Sequence, residues 1–270
     1  MMKLTLLALL LLLSCKSSFA QPEVLKGTWI TPEQDLIEIL ELGRTSSNHM
    51  SNKLLREDHF HLFIFGDTLS FQHIYTMSPK FETEYIDRYD LKVISRNDSV
   101  LVVKPVSKFS KDYFQNRPTL KLKRKPYLVD KTIKFEKLFY HASRAWNGPT
   151  VAMQVDSNKS MYMRYTNNTG SLERGLPTGR YKAVLDDDTY KELIKQLQNC
   201  NLRTLRFGNI KGNDAPDITL IVYFNGKRKY LKSMFPPRIS EELLTFIMLR
   251  LQGYGKLIPT DENRDLEWRP

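Results

Sequence analysis

The sequence has 270 residues, 41% of them hydrophobic and 26% charged, with a formal net charge of +11. This length and hydrophobic content predict one or two globular domains with substantial cores, and two fit better. The only cysteines are Cys15 and Cys200. Because Cys15 lies in a predicted signal segment, an internal disulfide in the exported body is excluded.

An export signal is predicted over residues 1–20. Lys3 gives a positive start, an apolar run follows from Leu4 to Leu13, and residues 18–20 (Ser-Phe-Ala) form a small-x-small cleavage site. The apolar run is shorter than the roughly twenty residues that span a bilayer. We therefore expect a body delivered outside the cytoplasm.

Residues 12–15 (Leu-Leu-Ser-Cys) also resemble the lipobox of bacterial lipoproteins, in which the cysteine becomes the lipidated first residue. Lipidation of Cys15 would tether the body to a membrane face through several acyl chains, and stable anchoring requires more than one chain. Cleavage after Ala20 would instead release it into the periplasm, with Cys15 a small apolar residue of the signal. The sequence leaves both outcomes open.

The positive charge is concentrated in the second half of the chain. Residues 21–130 contain 16 basic and 15 acidic side chains, whereas residues 131–270 contain 23 and 15. In the cytoplasm this balance would suggest nucleic acid, bound through counterion release. An exported chain meets anionic lipids, envelope polysaccharides or acidic proteins instead, so we expect those partners and no nucleic acid. The alternative is that scattered lysines only keep the protein soluble.

Residues 22–127 predict an antiparallel β domain, either a barrel or a sandwich, because short apolar strands alternate with turn signals. Two hairpins are expected, the first turning at Gly66 and the second through the polar residues 95–99. Residues 33–42 fit either a strand or a helix. The other predicted strands are residues 59–65, 68–71, 89–94, 100–103 and 119–123.

The start at residues 27–29 (Gly-Thr-Trp), the paired hairpins and the closing Leu-Lys-Leu-Lys strand together resemble the small lipocalin-like domains of exported bacterial proteins. The resemblance covers about a hundred residues. It implies a barrel, which in this family either binds a small apolar ligand or has a filled interior. It assigns no binding residues.

After a linker at residues 124–131, residues 132–253 predict an α+β domain with an antiparallel sheet and two helices. The first helix begins near Asp186, with a capping box from Thr189 to Glu192, and the second runs from Ser240 to Gly253. Asn225-Gly226 predicts a type I′ hairpin. Residues 254–270 are a tail or a docking segment. The predicted strands are residues 133–141, 150–156, 161–166, 181–185, 218–224 and 229–233.

This second half resembles a family of uncharacterised α+β domains in exported bacterial proteins. The matching positions are residues 148–149 (Gly-Pro), 179–181 (Gly-Arg-Tyr) and 214–217 (Asp-Ala-Pro-Asp). Members carry a pair of cysteines where this chain has residues 145–149, so any redox or metal role of those cysteines is lost here. Because the activity of the family is unknown, the resemblance bears on fold more than on function.

Histidines supply weak candidates for a metal site. His59 and His61 lie two apart on a predicted strand, so both imidazoles face one side, as two zinc ligands would, and His73 lies on the partner strand. The alternative is that all three are solvent-facing polar residues. Without a motif of fixed spacing we expect no metal and no cofactor.

The acidic groups and the lone thiol have structural interpretations. Residues 186–188 could offer oxygen ligands for calcium, but they suit the N-terminus of the first helix better. Asp214 and Asp217 flank a proline turn. Cys200 lies in phase with the buried face of the helix and has no recognisable catalytic partner.

Seven basic residues are the candidates for a surface that binds an anionic ligand. If they approach one another, they could meet lipid headgroups or sugar phosphates, and the alternative is an edge strand protected by lysines. They are Arg203, Arg206, Lys211, Lys227, Arg228, Lys229 and Lys232.

We therefore expect an exported binding or structural module of the cell envelope, periplasmic or membrane-anchored, without catalytic activity. One alternative is an envelope hydrolase with a site between the domains, drawing on His59, His61, Asp214 and Asp217. The other is an inhibitor or immunity-type protein that binds an acidic partner through its basic C-terminal domain.

Overall fold

The computed structural model describes residues 22–52, 54, 57–78, 80–143, 148–167, 176–208, 212 and 215–267. The predicted signal with Cys15 lies outside the described residues, as do Lys211 and Asp214. The chain divides into two compact units, the first ending at Lys125 and the second beginning at Pro126. None of the helices formed by the described residues is long and apolar enough to cross a membrane.

The first unit is a closed antiparallel barrel, so of the two predicted architectures the barrel is the one observed. Its eight strands pair in sequence order, and β1 closes the barrel against β8. A short helix α1 (Pro22–Leu25) precedes β1, and α2 (Lys108–Tyr113) connects β7 to β8. The strands are β1 Gly27–Ile30, β2 Leu36–Ile39, β3 Gly43–Ser51, β4 Glu57–Phe65, β5 Thr68–Met77, β6 Lys80–Arg96, β7 Val100–Pro105 and β8 Leu120–Arg124.

Both predicted hairpins of this unit are confirmed. β4 pairs with β5 across the turn at Gly66, and β6 pairs with β7 across the polar loop. Along β4, Phe60 and Leu62 are fully buried while His61 between them is only half-buried, as the two-residue period of a strand requires. The segment that fitted either a strand or a helix contains strand β2.

The interior of the barrel is filled by its own side chains. Trp29, Phe60, Phe71 and Phe114 have no exposed surface and belong to one continuous apolar cluster. A cavity beside Leu25 measures only about 10 Å³, which is the space of about one water molecule. In its described part the barrel is therefore a closed β-barrel with a filled interior.

The second unit is built on a seven-stranded antiparallel sheet in the order β14-β13-β9-β10-β11-β12-β15. The predicted antiparallel pairing is confirmed, and the sheet is wider than the sequence pattern indicated because residues after the predicted domain add β15 to its edge. The strands are β9 Phe135–Ala142, β10 Thr150–Asp156, β11 Ser160–Thr166, β12 Gly179–Val184, β13 Ile218–Phe224, β14 Lys227–Ser233 and β15 Ile258–Pro259.

The first predicted helix of this unit is α3 (Asp187–Asn199), and its N-cap is Asp186 rather than Thr189. The second predicted helix is only partly helical in the α form. A 3₁₀ turn over Arg238–Ser240 leads into α4 (Glu241–Thr245), and π-helical turns continue over Phe246–Leu251.

Residues 260–267, which we call the C-terminal segment, run across one face of the sheet. Leu266 is 6% exposed and forms an apolar cluster with Phe139, Tyr162 and Ile221, which belong to three different strands. The Tyr162 hydroxyl donates a hydrogen bond to the Glu262 carbonyl at 2.9 Å. The segment is therefore packed on the sheet.

The hairpin between β13 and β14 allows a test of turn chemistry. Asn225 and Gly226 have φ of 52° and 67°, as a type I′ turn needs. We expect Gly226→Ala to lower the free energy of unfolding of the second unit by about 1 kcal/mol, since a Cβ is strained at positive φ.

Gly255→Ala is the matched control in urea unfolding of the same unit. The φ angle of Gly255 is not positive, and an added Cβ at this position would meet no atom within 4 Å. We expect its effect to stay within about 0.5 kcal/mol. Equal effects of the two substitutions would contradict the turn assignment.

Candidate functional site

The three histidines singled out in the sequence do not converge. Register places His61 opposite Gln72, so His73 lies one residue further along β5 and faces the other side of the sheet. The His59 ring instead contacts His49 of β3, with ring centroids 4.1 Å apart. Across the described residues, no group of three or more His, Cys, Asp or Glu side chains could hold a metal ion.

The acidic residues and Cys200 have structural partners. Asp186 caps α3 by accepting a hydrogen bond from the Thr189 N–H at 2.8 Å, which holds the pKa of Asp186 well below its ordinary value. Asp217 forms an ion pair with Lys232 at 2.8 Å. Cys200 is 2% exposed, and its thiol donates to the Leu197 carbonyl at 3.4 Å.

The basic residues of β14 are divided between the two faces of the sheet. Arg228 and Lys232 face the side that the C-terminal segment crosses, and Arg228 forms an ion pair with Glu267 at 2.8 Å. Lys227 and Lys229 alternate with them and point to the opposite side. The candidate positive surface is therefore split by the two-residue period of the strand.

On that opposite side, Arg203 and Lys229 are tied into the loop after α3. Arg203 forms an ion pair with Asp130 at 2.6 Å, and Lys229 donates to the Arg203 carbonyl at 3.0 Å. Hydrogen bonds from Thr132 and then from Arg203 hold the pKa of Asp130 below its ordinary value. Burial, and next the charge of Arg206, lower the pKa of Lys229. The ion pair and the hydrogen bond therefore hold the loop after α3 in place.

A cleft of about 640 Å³ opens where β11 ends and β12 begins. It is formed by β11, β12, β15 and the start of the C-terminal segment. Its lining residues are Arg164, Tyr165, Thr166, Pro177, Thr178, Gly179, Arg180, Tyr181, Pro259, Thr260 and Asp261.

Two arginines face each other inside this cleft. Arg164 of β11 and Arg180 of β12 are directly opposed partners in the antiparallel pair. Like charges in this arrangement destabilise a sheet. Arg164 is held by the C-terminal segment, donating to the Arg264 carbonyl at 3.0 Å and to Asn263 Oδ1 at 3.3 Å. For the Arg180 guanidinium, the described part of the chain provides no hydrogen bond or ion pair.

The walls of the cleft are fixed by hydrogen bonds. The Tyr181 hydroxyl donates to the Pro177 carbonyl at 2.6 Å, and the Thr178 hydroxyl accepts from the Asn167 N–H at 2.9 Å. The Thr260 N–H donates to the Arg180 carbonyl at 2.9 Å, and this bond holds the start of the C-terminal segment against β12. A guanidinium presented from such a frame suits bidentate binding of a carboxylate or phosphate group.

Comparisons of the chain with protein-family models, with curated proteins and with solved structures returned no match. The fold and the cleft define a two-unit β-rich protein, in which a filled barrel is followed by an antiparallel sheet with an arginine-lined cleft. Sequence reasoning singled out Arg180 only as part of a family resemblance, and it missed Arg164. The signal that could have found them is a basic residue on each of two strands predicted to be neighbours.

Proposed function

We propose that this protein is an exported binding module of the cell envelope, without catalytic activity, and that the cleft on its second unit receives the carboxylate or phosphate group of an anionic envelope component. The observation that carries the proposal is the directly opposed pair of Arg164 and Arg180. Their repulsion is relieved when an anion lies between or beside them, so ligand binding and the local fold favour each other.

The charge distribution of the chain supports the same ligand class. Residues 131–270 carry an excess of eight positive charges, whereas residues 21–130 carry an excess of one. A cleft within a positive domain raises the local concentration of anions and speeds their association. The filled interior of the barrel is consistent with this proposal, because its buried side chains occupy the space that an apolar ligand would take in the first unit.

The place of action in this proposal rests on the predicted signal over residues 1–20. Lipidation of Cys15 would hold the protein at a membrane face, and cleavage after Ala20 would leave it free in the periplasm. In both cases the proposed partners are anionic components of the envelope. An acidic protein that presents a carboxylate would use the same cleft.

We expect Arg180→Gln to weaken binding of ethyl phosphate by about 10- to 100-fold, since a hydrogen bond to a charged group contributes about 1.5–3 kcal/mol. Titration calorimetry of the exported protein at low salt measures this directly. Added sodium chloride should weaken binding to the wild-type protein, as screening reduces the interaction of the exposed charges.

Lys227→Gln is the matched control, because it removes the same charge from an exposed position on the hairpin away from the cleft. We expect it to change the affinity less than twofold. Equal losses in the two variants would mean that net charge rather than the cleft attracts the anion. No binding to the wild-type protein would refute the proposed function.

A further inference from the structure

The cleft contains an acidic group as well as its two arginines. Asp261 lines it from the C-terminal segment, on the residue that follows Thr260. Within the described residues, neither the Asp261 carboxylate nor the Arg180 guanidinium takes part in a hydrogen bond or an ion pair. The next acidic residue, Glu262, does pair, with Arg264 at 2.5 Å.

Backbone pairing brings these two charged residues to one edge of the sheet, Arg180 on β12 and Asp261 two residues after β15. Tyr181 is the register partner of Pro259, and the Thr260 N–H is bound to the Arg180 carbonyl. Arg180 and Asp261 thus open onto the same cleft, yet their charged groups are not within the 4.0 Å of an ion pair. The lining of the cleft therefore contains both cationic and anionic side chains.

We infer that the cleft selects zwitterionic ligands, in which an ammonium group accompanies the phosphate or carboxylate. The inference rests on the proposed function, because Arg164 and Arg180 take the anionic group in both. Asp261 then pairs with the ammonium group, which a simple anion cannot offer. A ligand that bears only negative charge instead meets the repulsion of the Asp261 carboxylate.

Small molecules that share this chemistry include amino-alkyl phosphates and amino-carboxylates. The same groups occur on lipid headgroups and on free metabolites. Phosphoethanolamine is the simplest member of the first class, and ethyl phosphate is its matched analogue without the ammonium group. β-Alanine and propionate form the corresponding carboxylate pair.

The test compares O-phosphoethanolamine with ethyl phosphate by titration calorimetry of the exported protein. We expect the wild-type protein to prefer phosphoethanolamine by about tenfold, the difference that one charged hydrogen bond provides. Asp261→Asn should abolish the preference by weakening phosphoethanolamine binding, while ethyl phosphate binds as well as before or better. Asp261→Ser should behave in the same way.

Asp265→Asn is the matched control, since Asp265 is an exposed carboxylate on the C-terminal segment that does not line the cleft. It should keep the full preference. β-Alanine and propionate should repeat the pattern at lower affinity. Binding to vesicles that contain phosphatidylethanolamine, compared with vesicles of phosphatidylcholine alone, then separates a lipid source from a free one.

The possible results separate the inference about zwitterionic ligands from the proposed function. Equal wild-type affinities for phosphoethanolamine and ethyl phosphate would overturn the inference and leave the proposed function standing. A failure of both ligands to bind would overturn the two together. A loss of both affinities in Asp261→Asn would show that Asp261 supports the fold of the cleft, and this also contradicts the inference.

Discussion

Replacement of Arg117 by Met should lower the free energy of unfolding of the barrel unit by about 3–5 kcal/mol, the cost of breaking a buried ion pair by removing one partner. Arg117 donates through Nη2 to Asp35, whose side chain has no exposed surface. Methionine preserves much of the volume of arginine, so the lost charge dominates the effect. The Asp35 carboxylate would remain buried without its cationic partner.

The surroundings of Asp35 explain why the pair is placed there. The Thr31 hydroxyl donates to Asp35 Oδ2 at 2.6 Å, and the backbone N–H of Asp35 donates back to the same hydroxyl oxygen at 3.0 Å. These bonds fix the tight turn between β1 and β2. Arg117, from the chain after α2, then ties that turn to a segment 82 residues away in sequence.

The double variant Asp35→Asn with Arg117→Met should be more stable than Arg117→Met alone, because neither residue then leaves a buried unpaired charge. Arg44→Ala is the surface control. Arg44 and Glu84 form an ion pair at 2.5 Å with side chains 56% and 51% exposed, so its loss should cost less than about 1 kcal/mol.

Urea unfolding followed by the fluorescence of Trp29 measures these differences in the barrel alone. Trp146 and Trp268, the other two tryptophans of the chain, are replaced by Phe in every variant of the series. A loss of less than about 1 kcal/mol in Arg117→Met, similar to that in Arg44→Ala, would contradict the assigned role of the buried pair.

Local features of the fold could be predicted from the sequence because their causes are local. Asn225-Gly226 specifies a type I′ turn through the backbone preferences of two residues. The helix at Asp187–Asn199 follows from the spacing of Leu193, Leu197 and Cys200 and from an acidic cap at its start. In each case the deciding residues lie within one or two turns of one another.

Features that depend on strand register could not be predicted in the same way. The two-residue period placed His59 and His61 on one face, but which face His73 takes depends on whether it pairs opposite His61 or one residue later. The same period splits the basic run of β14 between two faces. Sequence spacing brought Arg228 and Lys229 together, and the strand separates them.

The candidate site was missed for a related reason. Arg164 and Arg180 become neighbours only through the pairing of β11 with β12, and Asp261 joins them only because β15 adds to the same sheet edge. The sequence pattern predicts a tail or docking segment after Tyr254 and no strand there. A short strand that contains Pro259 gives little signal in sequence, since proline cannot donate to the sheet ladder.

The Gly-Thr-Trp start of the barrel gains a physical explanation from the structure. Gly27 has φ of 122°, which disfavours other residues, and an added Cβ would lie 3.3 Å from Arg124 Nε. Trp29 is fully buried, and its Nε1–H donates to the Leu25 carbonyl at 2.8 Å. The motif therefore joins α1, β1 and β8 at the point where the barrel closes.

Trp29→Ala should consequently lower the free energy of unfolding of the barrel by about 3–5 kcal/mol, the range for truncating a buried aromatic side chain. The Arg124 guanidinium lies 5.1 Å from the centroid of the Trp29 ring system, so the substitution removes this contact together with the core volume. Trp29→Phe keeps an aromatic ring and loses the bond to Leu25, and we expect it to cost about 1–3 kcal/mol.

Hydrogen-exchange mass spectrometry of the barrel strands under native conditions measures these changes without a tryptophan signal. Phe81→Ala is the control, because Phe81 is 70% exposed on β6 and its truncation should change stability by less than about 0.5 kcal/mol. Protection in β1 and β8 should fall most in Trp29→Ala, since these strands meet at Trp29 and Arg124. Unchanged protection there would show that closure of the barrel does not depend on this side chain.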